Sequence, residues 1–191
     1  IAIERPRTYL VMHKPPGYLS TARDGRGRPT VLDLLPAGVD ARVYPVGRLD
    51  RDSEGLLLLT DDGELTYRLT HPRFGLEKEY LALVRGRPGA EALQRLRDGV
   101  TIDGRRTAPA RVEIAPDVTL PRNSGETWLR IVLREGRKRQ IRLMCAAVGH
   151  PVLRLIRVRE GPITLGDLPP GAVRPLTPEE LAALRRDAGL A

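Results

Sequence analysis

Cysteine, aromatic residues and long apolar runs are all scarce in this chain. Of its 191 residues one is cysteine, Cys145, and the aromatic residues phenylalanine, tryptophan and tyrosine make up 4%. A single cysteine excludes an internal disulfide and a metal cage built from cysteines, and it fits a reducing cytoplasm. No apolar run approaches the roughly 18 residues that a membrane helix requires, and no signal peptide is visible. We therefore expect a cytoplasmic protein without a membrane partner.

Lysine is also rare, whereas arginine is abundant. Lys14, Lys78 and Lys138 are the only lysines among 32 basic residues, and the formal net charge is +8. This excess of positive charge favours a polyanionic partner, with nucleic acid ahead of a membrane surface. Arginine suits such a partner because its guanidinium makes bidentate phosphate contacts and stacks on bases. A GC-rich genome would produce the same excess of arginine.

The apolar residues are sufficient for a core and their spacing alternates between two periods. Hydrophobic residues make up 41% of the chain, and the length fits one domain or one domain in two halves. Strand-like spacing covers residues 8–13, 56–60, 77–84, 127–133 and 150–157, the last strand, with two short strands in 100–115. Helix-like spacing covers residues 30–35, 64–69, 88–97, 139–148 and 178–188. Asp62 is a possible cap of the second of these helices, and Thr177 with Glu180 predicts a capping box at the start of the last. The sequence therefore predicts an α+β fold.

A dense group of charged residues lies directly before the most apolar segment. Arg48 and Asp50 stand between Gly47 and Gly55, and residues 56–59 are four leucines. Glycines allow backbone angles that other residues avoid, and the continuous leucines predict a strand buried on both faces. Catalytic groups often lie on loops that a rigid scaffold holds, which makes Asp50 a candidate carboxylate. On spacing alone, a solvated turn explains the same pattern.

This segment resembles the catalytic motif of the RNA pseudouridine synthases. It reads Gly-Arg-Leu-Asp followed by Ser-Glu-Gly-Leu-Leu, and in that family the aspartate, here Asp50, is the invariant catalytic residue. The longer form is similar to the branch that acts on small-subunit and large-subunit ribosomal RNA, and within it to the type designated E. Many relatives carry an N-terminal S4 RNA-binding domain, which type E lacks and which we do not find in this sequence. We expect one catalytic domain, 1–191, with two subdomains that flank the cleft.

Two further segments match motifs that precede and follow the aspartate in that family. Lys14-Pro-Pro-Gly resembles the Lys-Pro-x-Gly loop near the active cleft. Lys78-x-Tyr80 resembles the Lys-x-Tyr strand, in which the tyrosine ring stacks on the flipped uridine and the hydroxyl assists proton removal. Without the other motifs, a lone tyrosine on a strand would be interpreted as ordinary packing.

The third motif of the family, Glu-Gly-Arg-x-x-Gln-Ile-Arg, is matched by residues 135–142. Arg142 stands where the family has a cation that pairs with the catalytic aspartate, and Gln140 belongs to the same motif. Arg139 is three residues before Arg142, so both are expected on one face of the helix. A later segment is similar to the family's Pro-x-x-x-Leu-x-Arg, and there Leu155 matches the apolar residue that packs on the target base opposite the tyrosine.

The resemblance implies a fold, a reaction and a partner. The fold would be that of the pseudouridine synthases, a mixed, mostly antiparallel sheet in two halves with a central catalytic cleft. The reaction would isomerise uridine to pseudouridine in 23S ribosomal RNA, with no cofactor and no metal, because one glycosidic bond replaces another without redox change. A monomer is expected. The implied catalytic residues are Asp50, Tyr80 and Arg142, and the implied substrate-binding residues are Leu155, Arg48, Lys78, Arg139, Gln140 and Lys14.

Three other functions remain open on the sequence. The first is a pseudouridine synthase that acts on another ribosomal RNA site, and the second is a non-catalytic RNA-binding homologue. The third is a metal-dependent nuclease that uses the acidic residues around the leucine strand, Asp50, Asp52, Asp61 and Asp62. The strand would separate the two acidic pairs by roughly 10–17 Å, which is too far for one metal site.

Overall fold

The computed structural model describes residues 6–39 and 42–190. These residues divide into two compact units. The first contains the described residues up to Leu76 and those from Gly161 onwards, and the second is Glu77–Glu160. The chain therefore leaves the first unit, completes the second, and returns to the first for its last segment.

In chain order, the strands of the described residues are β1 (Tyr9–Lys14), β2 (Tyr44–Val46), β3 (Glu54–Thr60), β4 (Lys78–Arg85), β5 (Thr101–Ile102), β6 (Arg105–Arg106), β7 (Arg111–Ile114), β8 (Glu126–Leu133), β9 (Val152–Glu160), β10 (Ile163–Thr164) and β11 (Val173–Pro175). The α-helices are α1 (Gly63–Thr70), α2 (Ala90–Asp98), α3 (Gln140–Ala147) and α4 (Pro178–Asp187). Short 3₁₀ turns cover Val31–Leu34 and Pro72–Phe74. None of the helices in the described part of the chain combines the length and the apolar character that a membrane crossing needs.

The sheet of the first unit is built around the leucine strand. β1 pairs antiparallel with β3 and with β11, and β2 also pairs with β3. All seven residues of β3 are buried. A strand that is covered on both faces needs apolar side chains on both, which explains four consecutive leucines. Each buried leucine contributes about 1.5–3 kcal/mol, so β3 is a rigid support for the loop before it.

The two helices of the first unit begin where the sequence predicts. The carboxylate of Asp62 accepts a hydrogen bond from the Leu65 N–H at 3.1 Å and so caps α1. Thr177 and Glu180 form the predicted capping box of α4, with Pro178 at its first position. Both predictions are confirmed, because capping depends on residues within one turn of the helix start.

The second unit is an antiparallel sheet with helices on one face. β4 lies between β9 and β8, and β7 pairs with the outer edge of β8. One face carries the core, in which α2 and α3 pack against small and branched apolar residues of the sheet, among them Ala82, Leu129, Ile131 and Leu155. The opposite face carries ion pairs, formed by Glu77, Glu79, Arg111, Arg130 and Arg159.

Three sequence predictions need correction. The short helix expected over residues 30–35 is a 3₁₀ helix and is limited to Val31–Leu34. The helix expected from residue 139 begins at Gln140, because Arg139 has a left-handed backbone with φ of 53° and precedes the helix as its N-cap. The segment 150–157 is not the last strand, since β9 continues to Glu160 and β10 and β11 follow it.

Candidate active site

Asp50 lies half-buried in the loop between β2 and β3. The backbone of the residue before it, Leu49, is held by a side chain from outside this loop. The hydroxyl of Ser20 donates to the Leu49 carbonyl at 2.7 Å and accepts from the Leu49 N–H at 3.0 Å. Inside the loop, the Ser53 N–H donates to the Asp50 carbonyl at 3.0 Å. Gly47 enters the loop with φ of 73°, a left-handed conformation that glycine adopts without strain.

Lys14 fixes the other side of the same loop. Its Nζ donates to the carbonyl oxygens of Ser53 at 2.6 Å, Pro15 at 3.1 Å and Arg51 at 3.2 Å. The Gly17 N–H also donates to the Arg51 carbonyl, at 2.7 Å. Asp50 thus stands between two backbone segments that are each held by a side chain.

The environment of Lys14 is unusual for a lysine. The side chain has no solvent exposure. Burial lowers the pKa of its ammonium to about 8, although the nearby carboxylates of the loop oppose this shift. The resemblance suggested Lys14 as a substrate-binding residue, but its three N–H groups reach backbone carbonyls. These contacts support a part in holding the Asp50 loop.

Arg48 is an exposed cation of this loop. It precedes Asp50 by two residues, and Leu49 between them is buried at 6% exposure. The alternation directs Arg48 to solvent and Leu49 into the core, while Asp50 lies at the border between them. Arg48 is therefore accessible to a phosphate of a bound nucleic acid.

In the second unit, Tyr80 lies at the edge of the core, half-buried on β4. Its partner across β9 is Arg157, and the next pair on the same face is Ala82 with Leu155. Directly paired residues of antiparallel strands lie on one face of the sheet, so Tyr80 and Leu155 share a face. Leu155 is 6% exposed and belongs to the core cluster against which Tyr80 packs.

The segment before α3 is tied down by Gln140. Its side-chain oxygen accepts from the Arg137 N–H at 3.1 Å, and its side-chain nitrogen donates to Glu135 at 2.7 Å. Gln140 is 5% exposed, and these contacts indicate that its side chain helps to hold the shape of the loop before α3. Arg139 is exposed beside it, and Arg142 is half-buried on the first turn of α3. Arg139 and Arg142 remain close in sequence, but only Arg142 is carried by the helix.

Lys78 is partly buried beside Glu160. Burial lowers the pKa of its ammonium, and the negative charge of Glu160 opposes that shift. The Lys78 Nζ lies 3.7 Å from the point that a Cβ on Gly136 would occupy. The loop before α3 therefore comes close to this ammonium at Gly136.

Sequence reasoning gave no role to three residues that support the site. Ser20 lies in a loop with no pattern around it. Arg157 and Glu160 are both 3% exposed, and their side chains form an ion pair at 3.7 Å beside Tyr80. Arg157 belongs to the segment that resembles Pro-x-x-x-Leu-x-Arg, and a charged residue within an apolar strand was the available signal.

The expected site residues divide between the two units. The first unit contains Lys14, Arg48 and Asp50. The second contains Lys78, Tyr80, Arg139, Gln140, Arg142 and Leu155. In the first unit these residues lie on the Asp50 loop or donate to it. In the second unit, Lys78, Tyr80 and Leu155 share one sheet face, whereas the other three residues lie at the start of α3.

Asp61 and Asp62, which follow the leucine strand, have structural partners. Asp61 accepts from the Thr8 N–H at 2.9 Å, and Asp62 accepts from the Tyr9 hydroxyl at 2.6 Å while capping α1. Both lie beyond the far end of β3 from Asp50. Among residues 6–39 and 42–190, no group of three or more histidine, cysteine or acidic side chains is arranged to hold a metal ion. The nuclease hypothesis therefore has no support in the arrangement of these carboxylates.

Comparison with known proteins adds independent information. The family model described as RNA pseudouridylate synthase matches residues 8–147. The chain is 38% identical over 186 residues to ribosomal large subunit pseudouridine synthase B of Bacillus subtilis (strain 168), covering 97% of this chain and 75% of that protein. It is 45% identical over 171 residues to ribosomal large subunit pseudouridine synthase E of Xanthomonas axonopodis pv. citri (strain 306), covering 84% and 90%.

A solved structure agrees with the sequence relatives. A crystal structure of a pseudouridylate synthase superposes with a TM-score of 0.82 at 31% identity, covering 94% of this chain and 74% of that one. The expected fold class is thereby confirmed, and so is the expected enzyme class. On the fold, the motifs and these relatives together, the chain belongs to the RNA pseudouridylate synthase family and is an RNA pseudouridine synthase.

Proposed function

We propose that this enzyme isomerises uridine to pseudouridine in 23S ribosomal RNA, and that it works as a monomer in the cytoplasm. Two relatives of the chain are named as synthases of the large ribosomal subunit, types B and E. The observation that carries the proposal is the loop of Asp50, which Lys14 and Ser20 hold from both sides. A carboxylate that is fixed before substrate binds does not have to be ordered during the reaction.

The reaction makes limited demands on the protein. The C1′–N1 bond of uridine breaks, the base rotates, and a C1′–C5 bond forms. The proton on C5 is lost and N1 gains one, so the reaction is balanced without oxidant or reductant. The protein must supply a carboxylate, extract the base from its stack, and exclude water from the cleft.

Asp50 is the proposed catalytic carboxylate. It either adds to C1′ as a nucleophile or removes the 2′ proton on a route through a glycal, and both routes need an ionised carboxylate in a fixed position. Arg142 is the proposed cation that pairs with it, as the resemblance implies. A cation within a few ångströms favours the charged form of a carboxylate and directs it.

Tyr80 and Leu155 are proposed to contact the extracted base. The ring of Tyr80 is half-buried and is followed on the same face by Leu155, which supports a stacking surface at this point. Extracting a base costs a few kcal/mol, and stacking on an aromatic ring contributes about 1–3 kcal/mol, so the two are of comparable size. The exposed guanidiniums of Arg48 and Arg139 are proposed to bind phosphates of the RNA, with Lys78 adding positive charge nearby.

Two transcripts test the proposed substrate. Full-length 23S and 16S ribosomal RNA, made without modification, are incubated with the enzyme and pseudouridine is mapped by carbodiimide labelling and primer extension. We expect pseudouridine at a single region of 23S RNA and none in 16S RNA. Pseudouridine in 16S RNA alone would assign the enzyme to the small subunit, and RNA binding without pseudouridine would support the non-catalytic alternative.

Removal of metal ions tests the proposed chemistry. Folding of the RNA itself needs cations, so the enzyme is dialysed against EDTA and the assay contains a monovalent salt with a short unstructured or hairpin substrate. The reaction needs no Lewis acid, and we expect the single-turnover rate to stay within about twofold of the untreated enzyme. A rate that collapses and returns with added Mg²⁺ on the same short substrate would contradict the mechanism.

A further inference from the structure

A bulge in β9 changes which side chains of that strand accompany Tyr80. Lys78 pairs with Glu160 and Glu79 with Arg159, but Tyr80 pairs with Arg157, which leaves Val158 as an extra residue. In a regular strand, residues three apart such as Arg157 and Glu160 lie on opposite faces. The extra residue brings both onto the face of Lys78 and Tyr80.

The side chains of Lys78, Tyr80, Arg157 and Glu160 form a polar cluster inside the second unit. Nη2 of Arg157 lies 3.7 Å from Oε2 of Glu160, and these side chains are 4% and 3% exposed. Burial lowers the pKa of Arg157, but the charge of Glu160 and the hydrogen bond with Tyr80 oppose it, so the pKa is raised. A charge so deeply buried costs several kcal/mol unless it is paired, and apolar residues would stabilise the fold at least as well.

We propose that Arg157, held by Glu160, is a positioning residue for Tyr80. The guanidinium directly across the strand pair from Tyr80 fixes the direction of the tyrosine side chain, and Glu160 fixes the guanidinium. The inference rests on the proposed role of Tyr80 at the base, and it assigns a function to a buried ion pair that stability alone does not explain.

The arrangement suits a ring that must stack on a mobile base. β4 fixes the backbone of Tyr80, but the tyrosine keeps rotation about its two side-chain bonds, and the core does not enclose its side chain completely. A contact between Arg157 and the tyrosine hydroxyl, at the end of the side chain farthest from the backbone, restricts this rotation. The planar guanidinium can hold the carboxylate of Glu160 and the phenol oxygen at once, which an ammonium does less well.

A double-mutant cycle tests this contact. The single-turnover rate of pseudouridine formation and the Kd for RNA are measured for the wild type, Arg157→Lys, Tyr80→Phe and the double variant. We expect Arg157→Lys to slow the wild type by about tenfold, and to slow Tyr80→Phe by less than about twofold, because no hydroxyl remains to be held. Glu160→Gln should behave like Arg157→Lys, and Kd should change little in each case.

Arg130→Met is the matched control. Arg130 lies on the opposite face of the same sheet and pairs with Glu79 at 3.6 Å and Asp117 at 3.0 Å. Its removal takes away an ion-paired arginine without touching Tyr80, so the rate should remain within about twofold of wild type. If Arg157→Lys reduces the rate equally in the wild-type and Tyr80→Phe backgrounds, the proposal is overturned and the ion pair is structural only.

A second readout requires no catalysis. The same four proteins are unfolded in urea. The effect of the double substitution on the unfolding equilibrium constant should differ by at least about threefold from the product of the two single effects. Coupling in urea combined with a wild type that makes no pseudouridine would refute the proposed function and keep the contact. A wild type that makes pseudouridine with additive penalties in both experiments would refute the contact and keep the function.

Discussion

The two units support their functional side chains in different ways. In the first, Lys14 and Ser20 bind backbone groups, so what they fix is the path of the chain on either side of Asp50. In the second, Arg157 and Glu160 contact side chains, and what they fix is the direction of a ring. Lys14, Arg157 and Glu160 are buried charged groups, and burial of a charge is costly unless the group finds polar partners.

The difference follows from the element that carries each residue. A loop has no ladder of hydrogen bonds, so its backbone groups must find partners from outside, and an ammonium with three donors can satisfy three carbonyls. A strand already has its ladder, so the backbone of Tyr80 needs no further support and only its side chain remains free to turn. The element therefore decides which kind of support a functional residue requires.

The largest effect is expected at Asp50 itself. Asp50→Asn keeps the size of the side chain and leaves the contacts of Lys14 and Ser20 in place, but it removes the negative charge. We expect the single-turnover rate to fall by at least about a thousandfold, with folding and RNA affinity near wild type. A filter-binding titration run beside the rate assay separates the two. Activity within about tenfold of wild type would remove Asp50 from the chemistry.

Arg142 is expected to come next. Arg142→Lys keeps a cation on the first turn of α3, whereas Arg142→Ala removes it. The alanine variant should lose about a hundredfold in single-turnover rate and the lysine variant about tenfold. Circular dichroism checks that α3 is still formed. Equal rates for alanine and wild type would disprove the proposed pairing with Asp50 and make Arg139 the next candidate.

Lys14 tests the backbone support. Lys14→Met fills the same space but removes the ammonium that donates to the carbonyls of Arg51 and Ser53, and we expect a rate loss of about tenfold to a hundredfold. Lys138→Met, which removes an exposed lysine, is the control and should change the rate by less than about twofold. A wild-type rate for Lys14→Met would mean that Ser20 and the loop's own hydrogen bonds suffice.

The same lysine predicts a pH dependence of stability. The folded protein binds this proton less tightly than the unfolded chain, because burial lowers the pKa from 10.5 to about 8. Unfolding therefore takes up a proton between these values, and the free energy of unfolding should rise with pH across that window. Urea unfolding of wild type and Lys14→Met at several pH values isolates the effect, since other groups titrate in both. A constant difference between the two proteins would contradict the lowered pKa.

The sequence predicted more of the fold than of these supports. The leucine strand, the cap of α1 by Asp62 and the capping box of α4 follow from residues near in sequence, and the structure confirms them. The position of Asp50 after Gly47 was also recognisable, because the motif is contiguous. Local patterns are sufficient where the interacting groups lie within a few residues of one another.

The supports were not predictable because they depend on distant partners and on register. Lys14 lies 39 residues from the carbonyl of Ser53, and Ser20 lies 29 residues from Leu49. The spacing of Arg157 and Glu160 suggests opposite faces, and only the bulge at Val158 reverses this. Arg139 was placed on the helix because spacing alone gives no sign of its left-handed backbone.

The smallest effect on the rate is expected at Arg174 and Glu180, which belong to neither support. A substitution there tests whether a loss of stability alone slows the enzyme. Arg174 binds Glu180 through two contacts, at 2.7 and 2.9 Å, and chiefly through this hydrogen bonding it lowers the pKa of Glu180 from 4.5 to about 2. The pair stabilises the folded protein above pH 4.5, and this contribution disappears as the pH falls from 4.5 towards 2.

Glu180→Gln should therefore lower the free energy of unfolding by about 1 kcal/mol at pH 7, partly through the capping box, and by progressively less in acid. Its rate at pH 7 should match wild type, because neither Asp50 nor Tyr80 depends on this pair. Urea unfolding at pH 7 and pH 3 and the single-turnover assay provide the comparison. If a Lys14 or Arg157 variant loses as much free energy of unfolding as Glu180→Gln and still keeps the wild-type rate, that residue contributes only to the stability of the fold. If Glu180→Gln is slow, the active site is sensitive to any loss of stability. The slower rates of the Lys14 and Arg157 variants would then follow from instability, and they would not show that these residues hold Asp50 or Tyr80 in place.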